Sequence, residues 1–527
     1  MKMNGGFIGA TMMVAACFAS TCPADVRLAS LFGDGMVLQR DIQVPVWGWA
    51  EPGEQVSVSF AGQTASGVAA ADGRWRVVLA PLGASKEPAE MSVTGSSGLV
   101  VTNVLVGDVW ICSGQSNMQM PVSQVLHQAE EVAAADHPLV RLVTVPRVAS
   151  DFLVDDVDLT WKTCTPETVA SFSATAYFFA RHLHRELDVP VGVVDSSWGG
   201  TQIAPWTAPA GFQQVPAKQT LAIQVASWDS STESGGKNWR AFLDDLRSWQ
   251  TKAEKAVEAR APMPPMPDYP GRRNSNQDPT KLFNSMIHPL IPYAIRGAIW
   301  YQGESNGGEG MSYFESMQVL VGGWRELWRQ GDFPFYYVQL PGWQTSDPDS
   351  PAGADGWARS REAQRRSLGI PNTGMAITLD LGDAKNIHPL NKQDVGLRLA
   401  LLALNRTFKH DIVHSGPLYA GMAIEGHAIR IRFDHVGSGL MIGEKTGLDP
   451  VKELPDGQVK WVAIAGADMQ WHWADMKIDG DSVLVSSEAV PDPVAVRYAY
   501  TANPVGPLLY NREGLPASPF TTEEKWQ

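Results

Sequence analysis

The chain has 527 residues, of which 44% are hydrophobic and 19% are charged, the composition of an ordinary folded protein without long polar tracts. Its length exceeds what one hydrophobic core normally organises, so we expect two or three folded units. The net charge of −14 argues against partners that demand clusters of lysine and arginine, namely nucleic acid and anionic membranes. We therefore expect a small or neutral ligand.

Residues 1–24 have the pattern of an export signal: one cation at Lys2, an apolar stretch from Phe7 to Phe18, and small residues before Asp25. Cleavage after residue 24 predicts a periplasmic or secreted protein, whereas lipid attachment at Cys17 predicts an anchored one, and both interpretations stay open. The apolar stretch is too short to span a membrane, and no later segment has 18 consecutive apolar residues, so we expect no membrane span.

Two of the four cysteines, Cys17 and Cys22, lie in the predicted signal, which leaves Cys112 and Cys164. We expect buried free thiols at these two positions, with one disulfide as the alternative in an oxidising compartment. No Cys-x-x-Cys or paired His-Cys spacing is present, so the sequence predicts no structural metal.

Three regions with different patterns of predicted strands and helices follow the predicted signal. Residues 25–105 contain short strands, predicted over 43–49, 55–60 and 75–79, and indicate a small all-β unit. Residues 106–410 alternate strands and helices, which indicates a parallel sheet covered by helices, with a helical and Pro-rich insertion at about 213–279. Residues 411–527 return to short strands between glycine turns and form a second β-rich unit.

The central region supplies the elements that can position a site. We predict strands over 108–112, 189–195, 297–301, 335–340 and 375–379, and helices over 174–187, 312–330 and 392–403, with another around Gln364. Ligands of such sheets bind at the carboxyl ends of the strands. The segments that directly follow these strands are therefore the candidates for a site.

The segment Ser113-Gly114-Gln115-Ser116-Asn117-Met118 follows the first central strand. Gly114 permits a sharp turn, and the backbone N–H groups at a helix start can face an oxyanion, so Ser116 is a candidate nucleophile. Capping of the helix is the alternative role for this serine. Met118 stands where the G-x-S-x-G elbow has its second glycine, which disfavours the standard α/β-hydrolase pattern.

Two more turns follow predicted strands. In Trp198-Gly199-Gly200-Thr201, the glycines let the main chain approach a ligand and present an N–H to it. In the segment 300–306, Gln302 or Asn306 can donate a hydrogen bond to an oxyanion, and Glu304 can accept one and fix the loop. A purely geometric glycine turn and a polar surface loop are the alternatives.

The fourth segment, Asn386-Ile387-His388-Pro389, precedes the helix predicted over 392–403. A loop histidine in front of Pro389 can project back over the strand ends and act there as a general base. His388 is one of eleven histidines, and its spacing alone does not distinguish it from the others.

Taken together and in this order, the four segments resemble the GQSNM, GGT, QGESN and IHP blocks of the sialate O-acetylesterase group of SGNH hydrolases. The resemblance covers nearly the whole chain and extends to the segments 33–40, 282–290 and 504–511. It implies an α/β fold, with an SGNH-type three-layer αβα domain around a parallel sheet and β-sandwich-like accessory domains from the chain ends. It implies no metal and no organic cofactor.

The resemblance also implies an activity, that of a serine carboxylic-ester hydrolase removing acetyl groups from sugar hydroxyls. Ser116 would attack the acetyl carbonyl, and His388 would accept its proton and later protonate the departing sugar hydroxyl. The oxyanion would lie among the Ser116 N–H, the Gly200 N–H and the side chain of Gln302 or Asn306. Water would then hydrolyse the acetyl-enzyme.

The third catalytic partner departs from the family pattern. Many SGNH enzymes place an aspartate three residues before the histidine, where this chain has Lys385. Asp383, or a backbone carbonyl near Lys385, would then have to orient the imidazole.

The identity of the acetylated sugar stays open: it is sialic acid or a hemicellulose such as xylan or xyloglucan. A sialate site needs a cation for the sugar's carboxylate, whereas a hemicellulose site needs an open groove with aromatic faces. The candidates are Arg359, Arg361 and Arg272 for the cation, and Trp206, Trp343 and Trp357 for the groove. A non-catalytic carbohydrate-binding protein that keeps the fold is the alternative function.

Overall fold

The computed structural model describes residues 25–271 and 275–524. The predicted export signal, with Cys17 and Cys22, and the candidate cation Arg272 lie outside the described residues. In the part that is described, no helix is long and apolar enough to cross a membrane.

The N-terminal unit consists of short strands that are mostly antiparallel. Its strands are β1 (Arg27–Leu28), β2 (Val37–Gln39), β3 (Val44–Trp49), β4 (Gln55–Phe60), β5 (Gln63–Val68), β6 (Arg74–Leu79) and β7 (Ser85–Thr94). In β3, β4 and β6 every second residue is buried, as expected for strands with one face on a core. The strands predicted over 43–49, 55–60 and 75–79 are confirmed.

The next strand, β8 (Gly98–Gly114), connects this unit to the central sheet. Its first half pairs antiparallel with β7 and parallel with β2, and its second half is a central strand of the parallel sheet. The strand predicted over 108–112 is therefore the end of a longer one. The expected border between residues 105 and 106 falls inside it, because residues 104–114 are continuously buried and offer no exposed linker.

The remaining strands of the central sheet are β9 (His137–Thr144), β10 (Lys162–Cys164), β11 (Val191–Ser197), β12 (Gly297–Tyr301), β13 (Phe335–Val338) and β14 (Thr373–Ala376). Their order is β10-β9-β11-β8-β12-β13-β14, and every neighbouring pair is parallel except β10 with β9. From β11 onward this is the 2-1-3-4-5 order of doubly wound sheets. The chain reverses its direction of travel at β8 and β12, where such sheets open a ligand crevice.

Helices cover both faces of this sheet. The helices of the described residues, including α6 and α7 that pack outside the sheet, are α1 (Ser116–Gln119), α2 (Gln128–Ala133), α3 (Pro166–Val169), α4 (Ala174–Leu187), α5 (Pro209–Gln214), α6 (Gln219–Trp228), α7 (Glu233–Glu258), α8 (Met311–Trp328), α9 (Gly356–Arg366) and α10 (Lys392–Leu402). Trp110 and Cys112 of β8 pack in one core with α4 and α10, while Val109 and Ile111 face the opposite core with α8. Because side chains alternate along β8, this strand contributes to two apolar layers, one on each face of the sheet.

Shorter turns complete the helical inventory. They are the 3₁₀ segments Val122–Gln124, Ala204–Trp206, Pro216–Lys218, His288–Leu290, Glu304–Asn306, Ser367–Gly369 and Leu379–Leu381, and the π segments Phe283–Ile287 and Ala403–Thr407. The helices predicted over 174–187, 312–330 and 392–403 are confirmed as α4, α8 and α10, within two residues at each end. The insertion contains α6 and α7, which pack against each other.

The C-terminal strands form antiparallel sheets. They are β15 (Leu418–Glu425), β16 (Ala428–Asp434), β17 (Leu440–Glu444), β18 (Lys452–Glu453), β19 (Val462–Gly466), β20 (Trp471–Trp473), β21 (Asp475–Asp479), β22 (Ser482–Ser486), β23 (Pro493–Tyr498), β24 (Leu508–Asn511) and β25 (Phe520–Thr521). The unit is tied to the central domain by buried hydrogen bonds, among them Gln339 Nε2 to Ser518 Oγ at 2.9 Å. The C-terminal sheets therefore share a core with the central domain.

Cys112 and Cys164 are buried free thiols, as expected. Burial raises the pKa of Cys112 well above its ordinary value and that of Cys164 to about 12. Among the residues described here, no three metal-ligating side chains converge on a common point.

Candidate active site

Ser116 and His388 meet at the carboxyl edge of the central sheet. Ser116 is the first residue of α1, two residues after the end of β8, and His388 lies in the loop before α10. His388 Nε2 lies 2.8 Å from Ser116 Oγ, and both side chains are half-buried. This is the distance at which an imidazole takes the proton of a nucleophilic hydroxyl. The structure thus brings together two predicted residues that are 272 positions apart in the sequence.

The turn before Ser116 depends on Gly114. Its φ is +138°, and a Cβ at this position would lie 2.1 Å from the Tyr301 C=O at the end of β12. The next residue, Gln115, donates its N–H to that same carbonyl at 3.0 Å. Glycine is therefore required where the ends of two parallel strands meet, and the nucleophile is placed one residue beyond this contact.

The glycine turn after β11 packs against the nucleophile. A Cβ on Gly199 would lie 3.3 Å from Ser116 Cβ, and the Gly199 N–H donates to Gln119 Oε1 of α1 at 2.6 Å. Gly200 follows with a φ of +75°. Neither the Gly200 N–H nor the Ser116 N–H has an acceptor among the described residues. Two uncommitted backbone donors therefore lie close to the serine.

Gln302 does not occupy the place expected of an oxyanion donor. Its side chain is fully buried, and Nε2 already faces the acceptors Gln115 Oε1, Thr201 O and Asn306 Oδ1 at 2.7–3.1 Å. Its Oε1 accepts a hydrogen bond from the Tyr313 hydroxyl at 2.9 Å. Gln302 thus links the three turns of the site from beneath, and no amide proton is left for a ligand.

Asn306 and Glu304 take different positions in the same loop. Asn306 Oδ1 accepts the Ile203 N–H at 3.0 Å, and Nδ2 donates to Glu309 at 2.8 Å, which leaves one Nδ2 proton uncommitted. Glu304 Oε1 accepts a bond from Asn117 Nδ2 at 2.5 Å. Burial raises the pKa of Glu304, while the bond from Asn117 acts in the opposite direction. Glu304 therefore fixes the loop, and Asn306 stays a candidate donor.

Asp383 does not approach the imidazole as a triad member would. Its side chain is exposed, and its carboxylate accepts the Lys385 N–H at 2.8 Å. Asn386 closes the same turn by accepting the His388 N–H on Oδ1 at 3.0 Å. Among the described residues, His388 forms no ion pair, and the hydrogen-bond partner of its ring is Ser116 Oγ. The imidazole thus lacks the orienting carboxylate of a triad.

Burial and the local charge both favour the neutral form of His388. Burial lowers the pKa of His388, and the ammonium of Lys392 lowers it further. Lys392 is itself fully buried, and burial lowers its pKa to about 7 although the Glu304 carboxylate opposes this shift. A neutral imidazole is the form that can accept the Ser116 proton.

The three predicted tryptophans divide between core and surface. Trp206 is fully buried and donates through Nε1 to Thr201 Oγ1 at 2.9 Å, so its ring supports the glycine turn instead of facing a ligand. Trp357 is also buried and donates to the Pro341 C=O. Trp343 is half-buried, packs on Trp357 with ring centroids 4.9 Å apart, and shares a small apolar cluster with Ile387. Trp343 alone of these residues can offer a face beside His388.

The expected substrate cation Arg361 is buried in the core and donates to the carbonyls of Thr501 and Ala502, which excludes it from a ligand site. Arg359 is half-buried on the same helix. Another cation, Arg147, was not predicted from the sequence. It is exposed, and its Nε donates to the Ser197 C=O at 3.0 Å, next to the glycine turn.

Comparison with known proteins shows the family to which the chain belongs. No family model matches the chain. The sialate O-acetylesterase of Homo sapiens is 29% identical over 94% of this chain and 92% of its own length, and that of Mus musculus is 28% identical over 99% of both. The crystal structure of a carbohydrate acetylesterase from Xanthomonas citri superposes with a TM-score of 0.78, at 35% identity, over 95% of this chain and all of that one. The chain belongs to the sialate O-acetylesterase group of carbohydrate acetylesterases.

Proposed function

We propose that this protein is a carbohydrate O-acetylesterase that hydrolyses acetyl esters on sugar hydroxyls through an SGNH-type site. The observation that carries the proposal is the contact of 2.8 Å between Ser116 Oγ and His388 Nε2 at the switch point of a doubly wound sheet. The similarity to carbohydrate acetylesterases over nearly the whole chain supports the choice of acetyl esters.

In the proposed mechanism, His388 removes the proton of Ser116 as Oγ attacks the acetyl carbonyl carbon. The carbonyl π electrons move to oxygen and form a tetrahedral oxyanion. When the intermediate collapses, the bond to the sugar oxygen breaks, and the imidazolium gives its proton to the departing hydroxyl. His388 then deprotonates a water molecule that attacks the acetyl-enzyme, and acetate leaves as Ser116 regains its proton.

The oxyanion is held by backbone donors in this proposal. The Ser116 and Gly200 N–H groups have no acceptor among the described residues and lie in turns that touch each other. Donors fixed before the reaction cost no reorganisation when the charge develops, so each contributes about 10²-fold or more to the rate. Asn306 Nδ2 is the side-chain candidate, since Gln302 has no proton to offer.

Acetate release on O-acetylated sialic acid, acetylxylan and acetylated xyloglucan, measured in parallel, tests the proposal. We expect release from at least one of them, and a loss of about 10³-fold or more in kcat for Ser116→Ala and for His388→Ala. A folded wild-type protein that releases no acetate from these substrates or from p-nitrophenyl acetate would contradict the proposal. It would favour a protein that only binds carbohydrate.

Arg147 allows a sharper test of the substrate. If the sugar is sialic acid, its carboxylate needs a cation beside the site. Arg147 is held next to the glycine turn through Nε, and its other guanidinium nitrogens have no hydrogen-bond partner among the described residues. We then expect Arg147→Ala to raise KM about tenfold on O-acetylated sialic acid and to leave p-nitrophenyl acetate unaffected. If Arg147→Ala leaves KM unchanged on O-acetylated sialic acid, or changes KM by the same factor on both esters, this role for Arg147 is excluded and a neutral hemicellulose is favoured.

A further inference from the structure

A buried polar network lies beneath the two reacting residues. Asn117, directly after Ser116, is fully buried between Glu304 and Lys392. Its Nδ2 donates to the Ile387 C=O at 3.0 Å as well as to Glu304, and its Oδ1 accepts from Lys392 Nζ at 2.7 Å. Because a backbone carbonyl can only accept, the Ile387 C=O fixes the amide orientation of Asn117, with Oδ1 toward Lys392.

Lys392 completes the network on the other side of the histidine. Its Nζ donates to the Pro389 C=O at 2.6 Å, and the side chain has no exposed surface. The carbonyls on both sides of His388, those of Ile387 and Pro389, are thus held by this network. The same network begins at the residue next to the nucleophile, so it fixes the two loops relative to each other.

We propose that Lys392, acting through Asn117, is a positioning residue that holds the His388 loop in register with Ser116, in the place of the orienting carboxylate that the site lacks. This inference rests on the proposed function and deepens it. The imidazole is oriented by a clamp, in which Asn117 and Lys392 donate hydrogen bonds to the backbone carbonyls on both sides of His388. This clamp takes the place of a hydrogen bond to Nδ1.

The charge of Lys392 gives the clamp a second effect. The charged and titratable groups that face Lys392 are Glu304 from the loop after β12, the ring of Tyr301 at 5.4 Å from Nζ, and His388. Below pH 7 the ammonium is charged and disfavours the imidazolium, whereas the carboxylate of a triad would favour it. A site built in this way keeps its base neutral at lower pH.

The test compares Lys392→Met, Lys392→Gln and the control Lys445→Met in the full chain. Lys445 is also a nearly buried lysine that bonds α10, through Asp394, but it does not contact Ser116, Asn117 or the segment 387–389. Methionine removes both the charge and the donor, whereas glutamine keeps an N–H donor one atom closer to the backbone. Steady-state kinetics on p-nitrophenyl acetate, pH profiles and Tm are measured for each variant.

We expect Lys392→Met to lower kcat by about 100-fold with KM within about threefold, since a shift of the base by about 1 Å costs this much. Lys392→Gln should recover part of kcat. In both, the acidic limb of kcat/KM should move to higher pH, because the imidazole loses a neighbouring cation. The control should keep the wild-type kcat and pH profile.

A folded Lys392→Met or Lys392→Gln protein with wild-type kcat and an unshifted acidic limb would overturn the inference, as would an equal loss in Lys445→Met. If Lys392→Met does not fold, the kinetics of Lys392→Gln decide. If the wild type releases no acetate, the proposed function fails, and the clamp is tested by NMR titration of ¹³C-labelled histidine, with the His388 signal identified by its loss in His388→Gln. A His388 pKa that is not raised in Lys392→Gln would then refute it.

Discussion

At the scale of single residues, Ser116 and His388 are the proposed catalytic pair, and the proposed third partner is a network and not a carboxylate. Asp383 lies five positions before His388, but its carboxylate is exposed to solvent and accepts a hydrogen bond from the Lys385 N–H. We expect Asp383→Ala to keep kcat within about tenfold of the wild type, whereas a true triad aspartate costs about 10⁴-fold. Acetate release by this variant, beside His388→Ala, measures the difference. Equal losses in the two variants would restore Asp383 as a triad member.

The protonation of His388 sets the pH dependence. The base must be neutral, so kcat/KM rises with pH as His388 loses its proton. Burial and Lys392 both lower its pKa, and the acidic limb is therefore expected below the 6.5 of an ordinary histidine. A pH profile of kcat/KM on p-nitrophenyl acetate checks this. A midpoint above 6.5 would contradict this prediction.

At the same scale, the sequence predicted the two residues that the structure brings into contact, Ser116 and His388, but not the buried residues around them. Ser116 and Gly200 could be predicted because each follows a buried strand in a glycine-containing turn. Lys392 could not, because a lysine in the first turn of a helix is normally solvated, and only its contacts show that it is buried. Trp206 was expected to face a sugar, but its ring fills the space under a turn, and composition alone cannot separate these two roles.

At the scale of elements, the site depends on the contact between the ends of β8 and β12. Gly114 lies at this contact, with space for a hydrogen but not for a methyl group. We expect Gly114→Ala to destabilise the protein by roughly 3 kcal/mol, since the new Cβ must displace the backbone at a position with positive φ. Activity should fall with it, because Ser116 is two residues away.

Gly83→Ala is the matched control for this prediction. A Cβ at Gly83 would have no heavy atom within 4 Å, and the residue has no positive φ. Its substitution should leave Tm unchanged or raise it slightly through the unfolded state. Thermal melts of the two variants are compared, and a Gly114→Ala protein as stable as Gly83→Ala would show that the two strand ends can separate.

Elements with a clear period were predicted within two residues, as α4 and α8 show, whereas β9 was missed. Arg141 interrupts its apolar pattern, and a charge normally argues against a buried strand. In the folded protein Arg141 is buried but satisfied, since its guanidinium donates to the carbonyls of Pro138 and Gly35 and to Asn103 Oδ1. Partners from another unit of the protein cannot be deduced from a local pattern.

At the scale of the whole molecule, the C-terminal sheets complete the core of the central domain. Buried Arg361 donates to Thr501 and Ala502, and Gln339, directly after β13, bonds buried Ser518. A protein ending at residue 413 would leave these groups without partners inside the core. We expect this truncated protein to be insoluble or to lack a cooperative transition in calorimetry, whereas the span 25–524 should unfold in one transition. A folded, active truncation would show that the central domain is independent.

The strand β8 also limits how this architecture can change by recombination. Its first half belongs to the N-terminal sheet, and its second half carries Ser116 at its end. A crossover between relatives at residues 105 and 106 would join two half-strands whose partners come from different parents. We therefore expect the N-terminal unit and the nucleophile to be exchanged together, so that a viable crossover lies outside residues 25–116.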